Sequence, residues 1–241
     1  MIDDIGQPMQ PGQPVIQLDH VTSQLGDTLA LDDVSLRLDT ARIAVIGSNG
    51  SGKSTFARLI GGLTRPSTGG VRVHGVDAAK DATALRRLVS IVFSNPDAQI
   101  VMPTVAEDVA FSLRGTKLSK PEIAAQVATA LDDFRLTELA DRSAHELSGG
   151  QKQLLALCGA LIRRPALLIA DEPTAYLDAR NSRAVAEHLL RPQGGHQLVL
   201  VTHDLELAAR CDTAVLFDGG RVVAQGEPTE VIDAYRASLR W

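Results

Sequence analysis

The stretch Gly47-Ser48-Asn49-Gly50-Ser51-Gly52-Lys53-Ser54-Thr55 constrains this chain more than any other. It follows a continuous apolar segment, Ile43-Ala44-Val45-Ile46, which reads as a parallel strand covered on both faces. It opens a helical stretch running from Lys53 to Gly61. Strand, glycine turn and helix in that order make an anion cradle. The glycines let the backbone curl so that successive N–H groups converge, and the helix start adds its dipole. In Gly-x-x-x-x-Gly-Lys-Ser, Lys53 reaches the β- and γ-phosphates and the Ser54 hydroxyl is offered to Mg²⁺. All nine residues are therefore candidates for binding a nucleoside triphosphate.

The 241 residues suit one large domain, or a domain carrying an inserted lobe. Aromatics are only 3%, which argues against base or sugar stacking as the main activity, and the net charge of -5 with no Lys/Arg run argues against nucleic acid as a partner. Cys158 and Cys211 lack metal spacing and read as reduced core thiols. The longest apolar run, 154–162, ends at Arg163-Arg164 and falls far short of the roughly 20 residues of a membrane helix. The expectation is a protein that serves a membrane, if at all, from outside the bilayer.

Along the chain, 1–14 carries three prolines and no periodicity and is expected to be a disordered leader. Short alternating segments over 15–38 predict half-exposed antiparallel strands, and alternation returns at Val71-Arg72-Val73. A strand is expected from Leu88 to Phe93. Strand character then disappears over 94–164, where Pro121 opens a helix after Ser119 and Ile123, Val127, Ala130, Leu131 and Phe134 recur at helical spacing. This predicts a helical lobe inserted between two halves of an α/β core, 15–93 and 165–241. Core strands resume at Ala166-Leu167-Leu168-Ile169-Ala170 and Gln197-Leu198-Val199-Leu200-Val201, and a hairpin turning at Asp218-Gly219-Gly220 follows.

The strand at 166–170 delivers Asp171 and Glu172 to the carboxyl end of the sheet, the edge where α/β folds bind ligands. Adjacent carboxylates there repel unless a cation or a task separates them. Asp171 is assigned to Mg²⁺, through water, and Glu172 to the base that polarises the attacking water. His203 follows the next strand and could bond the γ-phosphate. Asp178 is either a helix cap or a residue reaching across a subunit interface.

Leu147-Ser148-Gly149-Gly150-Gln151-Lys152-Gln153 has Ser148 and Gln151 at capping-box spacing before an apolar helix. Two glycines in such a turn leave backbone N–H groups bare, so Ser148, Gly149 and Gly150 form a second anion site. The first loop already holds the chain's own nucleotide. A phosphate for the second must come from elsewhere, and a second copy of the chain is the natural donor.

Phosphate loop, Leu-Ser-Gly-Gly-Gln, Leu-Leu-Ile-Ala-Asp-Glu-Pro, Tyr-Leu-Asp and Thr-His-Asp occur in the order that resembles ATP-binding-cassette ATPases, over about 15–232. The resemblance implies an α/β phosphate-loop NTPase core with a parallel sheet, a small antiparallel β subdomain and an inserted α-helical subdomain. It implies a head-to-tail dimer sandwiching two ATP-Mg²⁺, each gripped by Lys53 of one subunit and Ser148 and Gly150 of the other, with closure on binding and opening after hydrolysis. Asn95-Pro96-Asp97-Ala98-Gln99 and the segment from Pro103 to Phe111 resemble the ATPases of energy-coupling-factor transporters, which import vitamins and metal ions. That implies a peripheral protein on the cytoplasmic membrane face, a transmembrane coupling protein and a substrate-binding membrane protein as partners. In that family the part corresponding to 95–109 contains a short helix meeting the coupling protein. The run 99–103 most resembles the biotin-type member, with cobalt or nickel uptake next.

Two positions depart from the family pattern. Ser94 stands where most members carry a Gln that reaches Mg²⁺ and the attacking water, and Gln99 could substitute for it. Ser23, Gln24 and Leu25 stand where the family often stacks an aromatic on the base. A soluble cassette acting on DNA or ribosomes would carry coiled-coil insertions, zinc modules or basic linkers. A kinase or GTPase would lack the Ser148–Gly150 site.

Overall fold

The structure, a computed structural model, describes residues 16–191 and 195–239, without the side chain of Leu25. The leader expected over 1–14 lies outside the described residues.

Among the described residues two sheets are present. β1 (Ile16–Leu25) and β2 (Thr28–Leu38) pair antiparallel with Ile16 opposite Leu38. β4 (Thr68–Val73) and β5 (Val76–Asp77) complete a four-stranded sheet in the order β2-β1-β4-β5. β3 (Arg42–Gly47), β6 (Val89–Val92), β7 (Leu167–Asp171), β8 (Gln197–Val201), β9 (Thr213–Asp218) and β10 (Arg221–Gly226) build a six-stranded sheet in the order β10-β9-β3-β8-β7-β6. Its ladders are parallel except β9–β10, the hairpin expected from the glycine pair.

Apolar residues fill both faces of this second sheet, as a parallel sheet requires. Alternate residues divide between two cores. Ile43, Val45, Ile169, Val199 and Phe217 meet α1 (Lys53–Ile60) and the antiparallel sheet. Ala44, Ile46, Leu168, Ala170 and Leu200 meet the helices between β6 and β7. Phe56 of α1 and Phe217 are fully buried with ring centroids 5.4 Å apart. Truncating Phe56 to alanine would cost about 3–5 kcal/mol.

The strand expected from Leu88 to Phe93 is shorter. Leu88 closes a helix absent from the sequence reading, α2 (Ala82–Leu88), which Asp81 caps by accepting from the Ala84 N–H at 2.8 Å. At the other end the Phe93 N–H donates to the Gln99 side chain and leaves the ladder. Between β6 and β7 lie α3 (Val105–Phe111), α4 (Lys120–Asp133), α5 (Gly149–Leu161) and three short 3-10 turns. α6 (Ala179–Leu189), α7 (Leu205–Ala208) and α8 (Pro228–Ser238) complete the order. Among the described residues no helix is long and apolar enough to cross a membrane.

Candidate active site

The phosphate loop joins β3 to α1 as its sequence dictates. Gly47 ends β3 at φ +141°, where an added Cβ would lie 2.1 Å from the Phe217 carbonyl oxygen of β9. Gly52 caps α1 at φ +108°, with the Ala30 carbonyl 2.7 Å from where a Cβ would be. Both positions demand glycine through backbone conformation and close approach. The turn between them, 48–50, is exposed. Lys53 is buried, and its Nζ donates to the Gly47 and Ser48 carbonyls at 2.8 and 2.7 Å. Burial holds its pKa below the ordinary lysine value, against the opposing pull of Glu172 and Asp171.

Parallel pairing of β7 between β6 and β8 brings Asp171 to the same edge. Ser54 Oγ donates to Asp171 Oδ1 at 3.5 Å, so the two proposed metal-side oxygens stand together. Burial raises the Asp171 pKa, while the Ser54 hydrogen bond and the charges of Arg58, Lys53 and His203 oppose it. The buried Ser51 hydroxyl has no hydrogen-bond partner among the described residues. An orphaned hydroxyl, a glycine cradle and a paired hydroxyl and carboxylate fit a Mg²⁺-bound polyphosphate.

Glu172 is held left-handed at φ +52°, its N–H donating to the Val201 carbonyl of β8 at 2.9 Å. His203 lies beside it, with Nε2 3.0 Å from Glu172 Oε1 and its main-chain N–H donating to Oε2 at 3.3 Å. Burial raises the Glu172 pKa, the His203 charge and N–H and the Lys53 charge lower it, and Asp171 adds to the rise. The structure thus gathers Lys53, Ser54, Asp171, Glu172 and His203 around one loop.

Ser148, Gly149 and Gly150 stand apart from that group. Among the described residues no hydrogen bond or ion pair joins them to the phosphate loop, Asp171, Glu172 or His203. The capping box is complete: the Ser148 N–H donates to Gln151 Oε1 at 3.0 Å and the Gln151 N–H to Ser148 Oγ at 3.4 Å. Among the described residues nothing accepts from the N–H groups of Gly149 and Gly150, which lie in the first turn of α5. Gly150 packs on α6, where an added Cβ would fall 2.3 Å from Asn181 Cγ. Asn181 is fixed in turn by Asp178, which accepts from its N–H at 2.8 Å and its Nδ2 at 3.0 Å. Asp178 is therefore a cap, and Asn181 the shaping residue that the sequence reading missed. The Asp-x-x-Asn spacing ahead of a helix was the available signal.

The helix carrying this turn is tied to the segment after β6. Gln153 Nε2 donates to the Phe93 carbonyl at 3.1 Å and Lys152 pairs with Asp97 at 2.7 Å. Gln99 spends its side chain on β6, accepting from the Phe93 N–H at 2.8 Å and donating to the Ile91 carbonyl at 2.9 Å. It is thus unavailable to stand in for a glutamine at Ser94, contrary to the sequence expectation. On the base side Ser23 is buried and Gln24 exposed.

A groove of about 530 Å³ opens between α2 and β6 on one side and α3 and α5 on the other. Leu63, Val101 and Phe111, all exposed, line it with Arg86, Arg114 and Arg163. Asp108 anchors its lip, Oδ1 accepting from the N–H groups of Val101 and Met102 at 2.8 and 3.0 Å.

Phosphate loop, acidic strand end and second glycine turn define a phosphate-loop ATPase of the cassette class. The "ABC transporter" family model matches residues 31–175, more than half of the chain. A biotin transport ATP-binding protein, BioM, of Rhizobium etli is 44% identical over 92% of this chain and 97% of its own length. An energy-coupling factor transporter ATP-binding protein, EcfA1, of Bacillus subtilis is 37% identical over 88% of this chain and 76% of its own. The solved structure of cbiO1 from Clostridium perfringens, described as part of the ABC transporter complex cbiONQ, superposes with a TM-score of 0.83 at 31% identity, covering 93% of this chain and 92% of that one. The chain belongs to the ABC transporter family and is an ATPase subunit of the energy-coupling-factor type.

Proposed function

We propose that this chain drives uptake of a vitamin or metal ion by hydrolysing ATP in a head-to-tail dimer docked under a transmembrane coupling protein. One observation supports the dimer above others: a turn with two bare N–H groups, Gly149 and Gly150, held apart from the chain's own phosphate loop. Such a turn favours an anion, and a second copy supplies one. In this reading Ser148, Gly149 and Gly150 close on the other copy's γ-phosphate, and each site is complete only when shared.

The residues divide the work. The loop 47–55 binds the phosphates through its N–H groups and Lys53. Ser54 and Asp171 would hold Mg²⁺, which would supply charge neutralisation for the phosphates. Glu172 orients water and accepts its proton, and His203 fixes the Glu172 carboxylate and reaches toward the γ-phosphate. The helices over 94–164 form the lobe carrying the second half-site, and the groove beside it receives the coupling protein's helix. Leu63, Val101 and Phe111 would be covered there. The protein sits peripherally on the cytoplasmic face, with a substrate-binding membrane protein as the third partner.

Biotin is the favoured cargo. The 99–103 run and the name of the Rhizobium relative support it, with cobalt or nickel as the second reading. The experiment is ATP-dependent uptake by the chain assembled with membrane partners in vesicles, using labelled biotin against cobalt and nickel ions. Biotin uptake abolished by Glu172→Gln supports the assignment. Metal uptake alone moves the assignment to the second reading, and uptake indifferent to Glu172→Gln removes the powering role.

A further inference from the structure

A loop that binds phosphate through main-chain N–H groups needs its carbonyls held outward. Lys53 Nζ holds those of Gly47 and Ser48. The Ser51 carbonyl is held from outside the loop, by the Gly220 N–H at 3.1 Å. Gly220 lies in the turn joining β9 to β10. It stands at φ +80°, with the Ala30 carbonyl oxygen 3.1 Å from where a Cβ would be, so the turn requires glycine. The turn is fixed in its turn to β2. The Asp32 N–H donates to the Gly220 carbonyl at 2.9 Å. Arg221, the next residue, donates from Nε and Nη2 to Asp32 Oδ2 at 2.9 and 2.5 Å. Arg221, Asp32, Gly220 and Ser51 thus form one continuous line of bonds that ends on the phosphate loop.

The peptide joining Ser51 to Gly52 is trans, and a trans peptide points its C=O and its N–H to opposite sides. By drawing the Ser51 carbonyl outward, Gly220 turns the Gly52 N–H inward. Among the described residues nothing accepts from that N–H. We propose that Gly220, backed by Asp32 and Arg221, positions the Gly52 N–H for the β-phosphate of the bound nucleotide. The inference rests on the reading of 47–55 as the phosphate site. These are positioning residues, acting on the ligand only through the Ser51–Gly52 peptide. A donor already aimed needs no ordering when the anion arrives, and that preorganisation appears as affinity. The opposite charges of Asp32 and Arg221 make the idea separable from simple attraction. Long-range attraction for a polyphosphate would weaken on losing Arg221 and strengthen on losing Asp32. The brace is broken by either loss.

The test measures dissociation constants of ATP, ADP and tripolyphosphate with Mg²⁺ for the full-length chain, by calorimetric titration well below the melting temperature, beside thermal melts. Gly220→Ala is expected to weaken all three by a common factor of about tenfold. Arg221→Met and Asp32→Ala change side chains 64% and 30% exposed, so both variants should fold. Each is expected to weaken all three ligands by at least about threefold, and Arg221→Lys by less than about twofold. Parental constants in Arg221→Met and Asp32→Ala overturn the proposal even if the melting temperature falls, because the ion pair then serves the fold alone. Tighter binding by Asp32→Ala overturns it in favour of long-range charge. A loss confined to ATP and ADP, with tripolyphosphate unchanged, overturns it in favour of the base side. A parent that binds none of the three overturns the reading of the loop itself, and the positioning role with it.

Discussion

The side chain of Asn181 fills the space in which Gly150 would carry a Cβ, leaving 2.3 Å to Asn181 Cγ. This contact sets the shape of the glycine turn that opens α5 from a helix outside it. Gly150→Ala must displace Asn181 and break its 3.0 Å bond to Asp178, at a cost of about 1–3 kcal/mol. ATPase activity is expected to fall at least about tenfold while ATP binding to the isolated subunit survives. Adding Asn181→Ala should return much of the lost melting temperature, and a double-mutant cycle by thermal unfolding measures how much.

Removing the proposed base should separate binding from hydrolysis. Glu172→Gln is expected to lower the rate of phosphate release by about 10²–10⁴-fold with nucleotide affinity within a few-fold of wild type. His203→Ala leaves Glu172 without its 3.0 Å neighbour and should fall between the two. A steady-state phosphate assay beside fluorescent-nucleotide titration reads both.

Charge at the acidic strand end works against the nucleotide-free fold. Burial raises the pKa values of Asp171 and Glu172, so each binds its proton more tightly folded than unfolded. Their contribution to stability is full below the unfolded carboxylate values and is lost as pH rises through the raised ones. Glu172→Gln should therefore melt at a higher temperature than wild type at pH 7, with the gap closing toward pH 4. Differential scanning calorimetry across that range checks the sign, and a lower melting temperature at pH 7 contradicts it.

The lip of the groove depends on Asp108, buried and accepting two main-chain N–H groups. Asp108→Ala strands both donors and should destabilise the chain by about 2–3 kcal/mol. Asp108→Asn keeps an acceptor and should cost less. Hydrogen exchange should show faster exchange confined to the Val101 and Met102 amides and their neighbours.

Ser94 follows the main-chain carbonyl that Gln153 grips, and Gln99 is committed to β6. Ser94→Gln therefore supplies a reach that Gln99 does not provide, and the ATPase rate is expected to rise several-fold in the assembled transporter. An unchanged rate and unchanged uptake would mean that the serine limits neither.

The parts of the fold governed by local rules were legible. The apolar run 43–46, the loop after it, the capping box at Ser148 and the glycine hairpin at 219–220 each carry their cause within a few residues. Contacts between distant segments were not. Gln153 to Phe93 and Lys152 to Asp97 span 60 and 55 positions, and no spacing rule connects them. α2 escaped notice because its seven residues hold a single buried apolar side chain, Leu85, too few for a helical period to show. The left-handed backbone of Glu172 was hidden for another reason: a glutamate there follows chemistry and runs against its own conformational preference.

Lys53 gives the phosphate loop a threshold. Its ammonium already has two carbonyl acceptors of the protein's own, at 2.8 and 2.7 Å. Two of its three hydrogens are thus engaged, and an incoming anion that needs more than the third must compete with those oxygens. A small, singly held anion gains little in that exchange, whereas a chain of phosphates recovers the loss along the whole loop. The expected consequence is a loop that favours a polyphosphate over orthophosphate, a preference that competition between orthophosphate and nucleotide would measure.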